Sequence, residues 1–184
     1  MTLLQNLLLL TFLLPIGSAL AAQGFTPSPD FVALLDTMEL RLNPPLNADF
    51  KPVRRRANKY LPDQFVVYSR EEKLEMRYSL LPEGEGNRYA GQPHLRSMTT
   101  VMNLGSNEED AVISVHSFGE EEMAVFNADW AKMYTFRPKD SYSDKRMAQL
   151  VAIYREGRGM AYAVLLFDKA PATLDGRQLA MRFR

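Results

Sequence analysis

The sequence predicts an α+β fold: a mostly antiparallel sheet with two main helices packed on one face. Apolar residues recur at helical spacing after Ser28-Pro29, whereas beyond Phe65 the period of the apolar pattern changes to two. Near the C-terminus, two apolar runs are separated by a link of hairpin length. Helix, strands, helix and strands therefore follow one another, joined by connections short enough for antiparallel neighbours.

The first predicted element is a helix over residues 29–42. Ser28 can cap its N-terminus, Pro29 suits the first turn, and Asp30 complements the helix dipole. The apolar stripe comprises Phe31, Leu34, Leu35, Met38 and Leu42, and it predicts the face that packs on the sheet. The following segment, 46–63, contains prolines and is predicted to be irregular.

Two strands are predicted next, over residues 65–68 and 74–80, joined by a hairpin loop at 70–72. In the second strand, Glu75, Arg77 and Ser79 alternate with apolar residues, which predicts a half-buried strand with one solvated face. The Gly- and Pro-rich segment 82–93 is predicted to be a loop.

The middle of the chain leaves two choices open. Residues 95–104 fit a helix after Pro93, but the β-branched residues 99–101 favour a strand, which is the interpretation preferred here. A strand over 111–118 follows. Residues 120–134 indicate a helix with three glutamates in its first turn, although the helix could instead begin with Asn127 as its cap.

The strongest β-signal comes from the apolar runs 149–154 and 160–167. Gly157 and Gly159 in the polar link between them permit the positive φ angles of a hairpin turn. Asp175-Gly176 indicates a further turn before a last strand over 178–183. This layout resembles the MOG1/PsbP-like architecture, and the resemblance lies in the order of elements alone.

The N-terminus has the pattern of a secretory signal peptide over residues 1–21. An apolar run from Leu7 to Leu14 is broken by Pro15, and Ala19 and Ala21 occupy the positions that signal peptidase requires. The alternatives are an uncleaved anchor or a buried N-terminal helix. We expect cleavage near Ala21, a single globular α+β domain over 22–184, and a periplasmic or secreted location.

Composition narrows the class of protein. There is no cysteine, and hence neither a lipid attachment site nor a disulfide; the chain also lacks an N-glycosylation sequon, which favours a bacterial envelope protein. The 22 basic and 22 acidic residues balance, which argues against a nucleic-acid partner. No transmembrane segment is expected in the mature chain.

The sequence contains no serine-hydrolase elbow, zinc-protease motif, C-x-x-C pair or phosphate-binding loop. We therefore expect a non-catalytic binding or accessory protein of the cell envelope, without a cofactor, that binds an unknown protein or envelope component. The alternative is a small periplasmic hydrolase or metal-dependent enzyme using His94, His116 and Asp129. Under this metal-dependent enzyme hypothesis the two histidines would hold a metal, with Glu120 or Asp129 completing the site.

Two groups of residues are candidates for binding. Asp129, Trp130, Lys139 and Tyr142 could converge around the turn at Pro138 to hold a ligand, with a core position for Trp130 as the alternative. The second group is the densest basic cluster, and could make a peripheral contact with an anionic surface such as phospholipid headgroups or lipopolysaccharide. Its members are Arg54, Arg55, Arg56 and Lys59; the alternative is a solvated loop.

Overall fold

The computed structural model describes residues 25–45, 48–54, 58–84 and 91–184. The predicted signal peptide, its cleavage site, Arg55 and Arg56 lie outside these ranges. Among the described residues the helices are α1 (Pro29–Thr37), α2 (Pro93–Leu104), α3 (Glu120–Phe126) and α4 (Leu174–Gln178). The strands are β1 (Leu40–Leu42), β2 (Lys51–Pro52), β3 (Phe65–Ser69), β4 (Leu74–Pro82), β5 (Ile113–Ser117), β6 (Trp130–Phe136), β7 (Met147–Arg155), β8 (Gly159–Phe167) and β9 (Met181–Phe183).

Seven strands form one sheet in the order β2-β3-β4-β8-β7-β6-β5, and every neighbouring pair is antiparallel. β1 and β9 form a second, two-stranded sheet. The α+β prediction is thus confirmed. No helix in the described part of the chain is long and apolar enough to cross a membrane.

Each face of the large sheet carries its own hydrophobic core. The first core contains Phe31 of α1, Phe126 of α3 and the apolar residues of the small sheet; we call this side the α1 face. The second contains Val101 and Leu104 of α2 and defines the α2 face. The two helices expected from sequence do share one face, and a third helix covers the other.

The α1 prediction is confirmed at its start and wrong at its end. The Phe31 amide donates to Ser28 Oγ at 3.3 Å, which is the expected N-cap. The helix ends at Thr37, because Glu39 adopts a φ of 51° and turns the chain into β1. At the C-terminus, α4 replaces the predicted turn at 175–176, and only 181–183 of the predicted last strand is extended.

The two predicted hairpins are confirmed. β3 and β4 pair across a turn at 70–73, and β7 and β8 pair across residues 156–158. Gly157 and Gly159 have φ angles of 70° and 108°, as the polar link predicted. At Gly159 a side chain has no room, since a Cβ there would overlap the Leu81 carbonyl oxygen.

The strand prediction for residues 95–104 is wrong: this segment is α2. Pro93 begins the helix, Val101 and Leu104 are buried in the core, and the Ser97 hydroxyl bonds the Tyr134 hydroxyl at 2.8 Å. Tertiary packing of one apolar helix face therefore outweighs the strand propensity of the β-branched residues.

The helix predicted over 120–134 is wrong beyond Phe126. Glu122 accepts the Gly119 amide at 2.9 Å and stabilises the first turn, in agreement with the expected role of the glutamates. Asn127 then adopts a left-handed conformation, with φ 49° and ψ 47°, and ends the helix. The alternative in which Asn127 begins a helix is also wrong, because residues 130–136 form β6.

Candidate functional site

Glu75 and Arg77 are buried, and the solvated face predicted for their strand does not exist. Their side chains lie on the α2 face of β4, where only 2% of Glu75 and 6% of Arg77 is exposed. Residues 58–63 and 140–144 cover them. Both segments are distant in sequence, so the alternation within β4 carried no information about this cover.

Arg77 is the centre of the buried cluster. Its Nε donates to Glu75 Oε1 at 2.7 Å, and its Nη1 donates to Asp63 Oδ2 at 3.1 Å and to the Tyr142 carbonyl oxygen at 3.2 Å. The guanidinium carbon also lies 4.5 Å from the centre of the Tyr142 ring. Nη2 makes no hydrogen bond to any residue that the structure describes.

Asp63 supplies the second carboxylate bound by Arg77. Its Oδ2 also accepts from Asn58 Nδ2 at 2.7 Å, while Oδ1 is buried without a hydrogen-bond partner in the described part of the chain. Burial raises the pKa of the Asp63 carboxyl, and the positive charge of Arg77 opposes that shift. Burial and pairing with Arg77 therefore act in opposite directions on the charge of this carboxyl.

A cavity of about 600 Å³ lies over this cluster, and we call it the Arg77 cavity. Its lining is predominantly polar and carries both signs of charge: Asn58, Lys59, Tyr60, Glu75, Arg77, Asp140, Ser141, Tyr142, Ser143 and Asp144. The covering segments are joined to each other, since the Tyr60 hydroxyl bonds the Ser141 hydroxyl at 2.8 Å. The cavity thus lies between β4 and two loops that are cross-linked above it.

The aromatic rings of the cavity are already engaged by cations. The ammonium nitrogens of Lys59 and Lys139 lie 5.3 and 5.7 Å from the centre of the Tyr60 ring. The Tyr142 ring packs against Arg77 and meets Tyr60 edge to face, at 6.4 Å between ring centres. Burial raises the pKa of the Tyr142 phenol, which therefore stays protonated at neutral pH.

The structure does not bring the four predicted ligand residues together. Tyr142 lines the Arg77 cavity, whereas Lys139 donates to the carbonyl oxygens at the C-terminal end of α2. Asp129 and Trp130 lie at the start of β6, and the Pro138 turn follows its other end, roughly 20 Å away at the usual rise per strand residue. Asp129 instead accepts the Glu156 amide at 2.8 Å.

Trp130 occupies the core position that was the alternative to a stacking surface. It is half-buried and packs against the hydrophobic core on the α2 face. Its cross-strand partner is Tyr154, the aromatic neighbour at the end of β7. Packing therefore accounts for this side chain.

The two histidines lie on opposite faces of the sheet. His116 on β5 is paired in register with Met133, whose side chain packs on the α1 face, whereas His94 is an exposed residue in the first turn of α2. The nearest carboxylate to His116 is Glu122, at 3.7 Å. Within the described ranges, no three His, Asp or Glu side chains are grouped so that they could hold a metal ion. The geometry needed by the metal-dependent hydrolase hypothesis is not present there.

The basic cluster is only partly described. Arg54 is exposed just after β2, and Lys59 lies at the Arg77 cavity. Arg55 and Arg56 lie outside the described residues. Contact with an anionic surface stays a prediction for this group.

Sequence reasoning missed the pairing of Glu75 with Arg77, although a signal was present. Opposite charges at positions i and i+2 of a strand point to the same face and can pair with each other. Nothing in the sequence indicated that Asp63 and Tyr142 would close over that pair.

In comparisons with known proteins, no protein-family model, curated protein or solved structure matches the chain. The MOG1/PsbP-like resemblance stays a prediction. Functional assignment therefore depends on the geometry of the Arg77 cavity.

Proposed function

We propose that this protein is an exported, non-catalytic binding protein of the cell envelope, and that its Arg77 cavity takes a small zwitterionic ligand. The observation that carries the proposal is the buried guanidinium of Arg77, which lines the cavity and has no described partner for Nη2. Two carboxylates and a tyrosine ring hold this group in place before any ligand arrives.

Stability alone does not account for such a cluster. Replacing a buried ion pair by well-packed apolar residues is often neutral or stabilising, because burying the charges costs about as much as their attraction returns. β4 lies near the centre of the sheet, and its side chains on the α1 face are apolar. Charged residues in this position support a binding role.

The charges of the lining favour a zwitterion over a ligand of one sign. Because Nε and Nη1 of Arg77 are already engaged, Nη2 can donate to one oxygen of a ligand carboxylate. Asp140 and Asp144 are exposed members of the same lining and can bind an ammonium group. Because the tyrosine rings are engaged by cations, we expect charged groups rather than aromatic stacking to hold the ligand.

The serines of the cavity support a non-catalytic role. The Ser141 hydroxyl bonds the Tyr60 hydroxyl, and the Ser143 hydroxyl accepts the Lys145 amide. Neither is hydrogen-bonded to a histidine or a carboxylate in the described part of the chain, so neither has the adjacent base that activates a serine nucleophile.

The ligand proposal is tested by thermal unfolding with free amino acids and betaines, each paired with analogues in which the carboxylate is amidated or the amine acetylated. At a ligand concentration near 100 times Kd, we expect the zwitterion to raise Tm by roughly 5–10 °C. Both singly charged analogues should give much smaller shifts. Equal shifts from an amidated analogue would contradict the role of Arg77.

Matched variants locate the site. Asp144→Asn removes a charge from the lining and Arg77→Lys removes the Nη2 donor, so each should reduce the ligand-induced shift. Asp175→Asn removes an exposed carboxylate that does not line the cavity, and should leave the shift unchanged. An equal loss in all three variants would argue against this cavity.

Export is tested separately, by N-terminal sequencing of the protein recovered from cells that express the full-length chain. Processing after Ala21 predicts a mature protein that begins at Ala22. Ala21→Arg should block cleavage, whereas Ala22→Ser should not. Recovery of an unprocessed chain in the cytoplasm would overturn the export proposal without bearing on the cavity.

A further inference from the structure

The two edges of the seven-stranded sheet differ in how they are protected. β2 closes one edge with only Lys51 and Pro52, and a short strand with lysine and proline discourages further pairing. β5 forms the other edge with five residues, all of them exposed, and it contains neither proline nor lysine. Among the described residues β5 pairs only with β6, so its outer backbone groups are open.

Exposed apolar side chains lie beside this open edge. Ile113 and Val115 are in register with Phe136 and Tyr134, which places them on the α2 face. Val115 is 47% exposed. Strand β5 therefore presents apolar side chains on the face that α2 partly covers.

The helix α2 packs on the same face of the sheet and has exposed apolar side chains of its own. Its Thr100 hydroxyl reaches Tyr162 on β8, so that flank of the helix faces the centre of the sheet. The opposite flank carries Leu95, Met98 and Met102 at i, i+3 and i+7, and all three are exposed. Since β8 and β5 lie on opposite sides of β7 and β6 in the strand order, we infer that this flank faces β5. We call Leu95, Met98, Met102, Ile113 and Val115 the β5 shelf.

Acidic residues flank the strand at both ends. Residues 108–110 precede it and residues 120–122 follow it. Glu108 pairs with Arg137 and Glu122 lies near His116, but the other four carboxylates make no ion pair with a described residue. They are Glu109, Asp110, Glu120 and Glu121.

The acidic residues at both ends of β5 favour a basic partner over a second copy of this chain. Antiparallel pairing of two β5 strands about Val115 would bring residues 108–110 of one copy toward residues 120–122 of the other, and like charges would repel. A strand with basic residues at both ends would instead meet opposite charge at both ends of β5. The unblocked edge, the β5 shelf and the acidic residues at both ends of β5 all favour an extended apolar segment with basic ends.

We propose that β5 docks an extended segment of another protein that carries apolar side chains at alternate positions and Lys or Arg at both ends. The segment adds an eighth strand to the sheet through its backbone hydrogen bonds. Its inward side chains pack on the β5 shelf, where Met98 and Met102 adapt to their shapes. Its basic ends lie against the acidic residues on either side of β5.

The test uses fluorescence polarisation of the peptide Lys-Lys-Val-Thr-Ile-Thr-Val-Lys-Lys with the full-length chain. We expect saturable binding that weakens as salt is added, and affinity at least about tenfold lower for a peptide with glutamates in place of the lysines. Val115→Lys should lower the affinity by at least about tenfold, because an edge lysine blocks strand addition. Val32→Lys alters an exposed valine on α1, and should bind as the wild type does.

Three results would overturn the proposal. One is the absence of saturable binding up to about 1 mM peptide by a folded wild-type chain. Another is equal affinity for the lysine-ended and glutamate-ended peptides, or for the wild type and Val115→Lys. The third is a dimer in sedimentation that Val115→Lys dissociates, since that would make the edge an interface between two copies. Asp144→Asn, which tests the Arg77 cavity, should leave peptide binding unchanged and so separates the two proposals.

Discussion

The guanidinium of Arg77 is held against the ring of Tyr142, with 4.5 Å between the guanidinium carbon and the ring centre, and Nη1 donates to the carbonyl oxygen of the same tyrosine at 3.2 Å. These two residues are 65 positions apart in the sequence. A ring contact and a backbone hydrogen bond on one residue together fix the loop after β6 over β4. The shape of the Arg77 cavity therefore depends on a side chain in the middle of the sheet.

We expect Arg77→Met to destabilise the protein by about 3–5 kcal/mol, because it leaves the buried Asp63 carboxylate without its cation. Urea unfolding followed by tryptophan fluorescence measures this difference. Arg41→Met, which alters an exposed arginine on β1, should change stability by less than about 0.5 kcal/mol.

Adding Asp63→Asn to Arg77→Met should recover part of the lost stability, since the amide removes the uncompensated charge. The free energies of unfolding of the two single variants and the double variant form a thermodynamic cycle. Strictly additive losses would show that Arg77 and Asp63 do not interact, contrary to their distance of 3.1 Å.

The raised pKa of Asp63 predicts how this residue contributes to stability as pH changes. The carboxyl binds a proton more tightly in the folded chain than in the unfolded chain, where its pKa is near 3.8. Its contribution is therefore fully present below that value and is lost as pH rises through the higher folded-state pKa. The free energy of unfolding of the wild type minus that of Asp63→Asn should fall from about pH 3 to about pH 7. A difference that rises over this range would mean that pairing with Arg77 outweighs burial.

Gly159→Ala should destabilise the protein by about 3 kcal/mol or more, because it combines a positive φ with a steric clash. At this position φ is 108°, and a Cβ would lie 2.6 Å from the Glu83 amide nitrogen. Gly157→Ala is the matched control: its φ is 70° and the space is open, so it should lose only about 1 kcal/mol. Equal losses in thermal unfolding would contradict the close approach of the β4 end to the hairpin.

Lys139→Met separates the role of this lysine from ligand binding. Its ammonium donates to the Met102 and Asn103 carbonyl oxygens, at 3.2 and 2.9 Å, at the C-terminal end of α2. Losing this cation should cost about 0.3–1 kcal/mol. The affinity for a zwitterion should change little, because Lys139 contacts the Tyr60 ring but does not itself line the cavity. Lys169→Met alters an exposed lysine and should have no effect in either measurement. A loss of affinity without a loss of stability would indicate that Lys139 takes part in ligand binding.

The elements predicted correctly are those whose causes are local. The turn glycines and the apolar runs on either side specify the β7–β8 hairpin within about 20 residues of chain, and Ser28 specifies the start of α1. The α2 segment was misassigned because its helical form depends on Tyr134 and on the core that receives Val101. Short-range propensity has no access to such contacts.

The candidate site illustrates the same limit more strongly. The sequence predicts a site that contains Tyr142 together with Asp129 and Trp130, but these two residues lie at the far end of β6. Its actual neighbours, Arg77 and Tyr60, come from earlier parts of the chain and reach it only through the strand order. Alternation along a strand shows which side chains share a face, but it does not show which strands are neighbours. Without the strand order, the residues that contact a loop cannot be predicted.

The small sheet joins Leu40 to Phe183 and so links the first described strand to the last. It cannot form until residues 181–183 have been synthesised. Met38, Leu40 and Met181 belong to the same core on the α1 face, so this core needs residues from both ends of the described chain. Pairings over such separations are slow, because the entropy of closing the loop is lost before the contacts form. For a chain exported as proposed above, we expect slow closure of this sheet to lengthen the interval in which the polypeptide is still extended enough to thread a secretion channel.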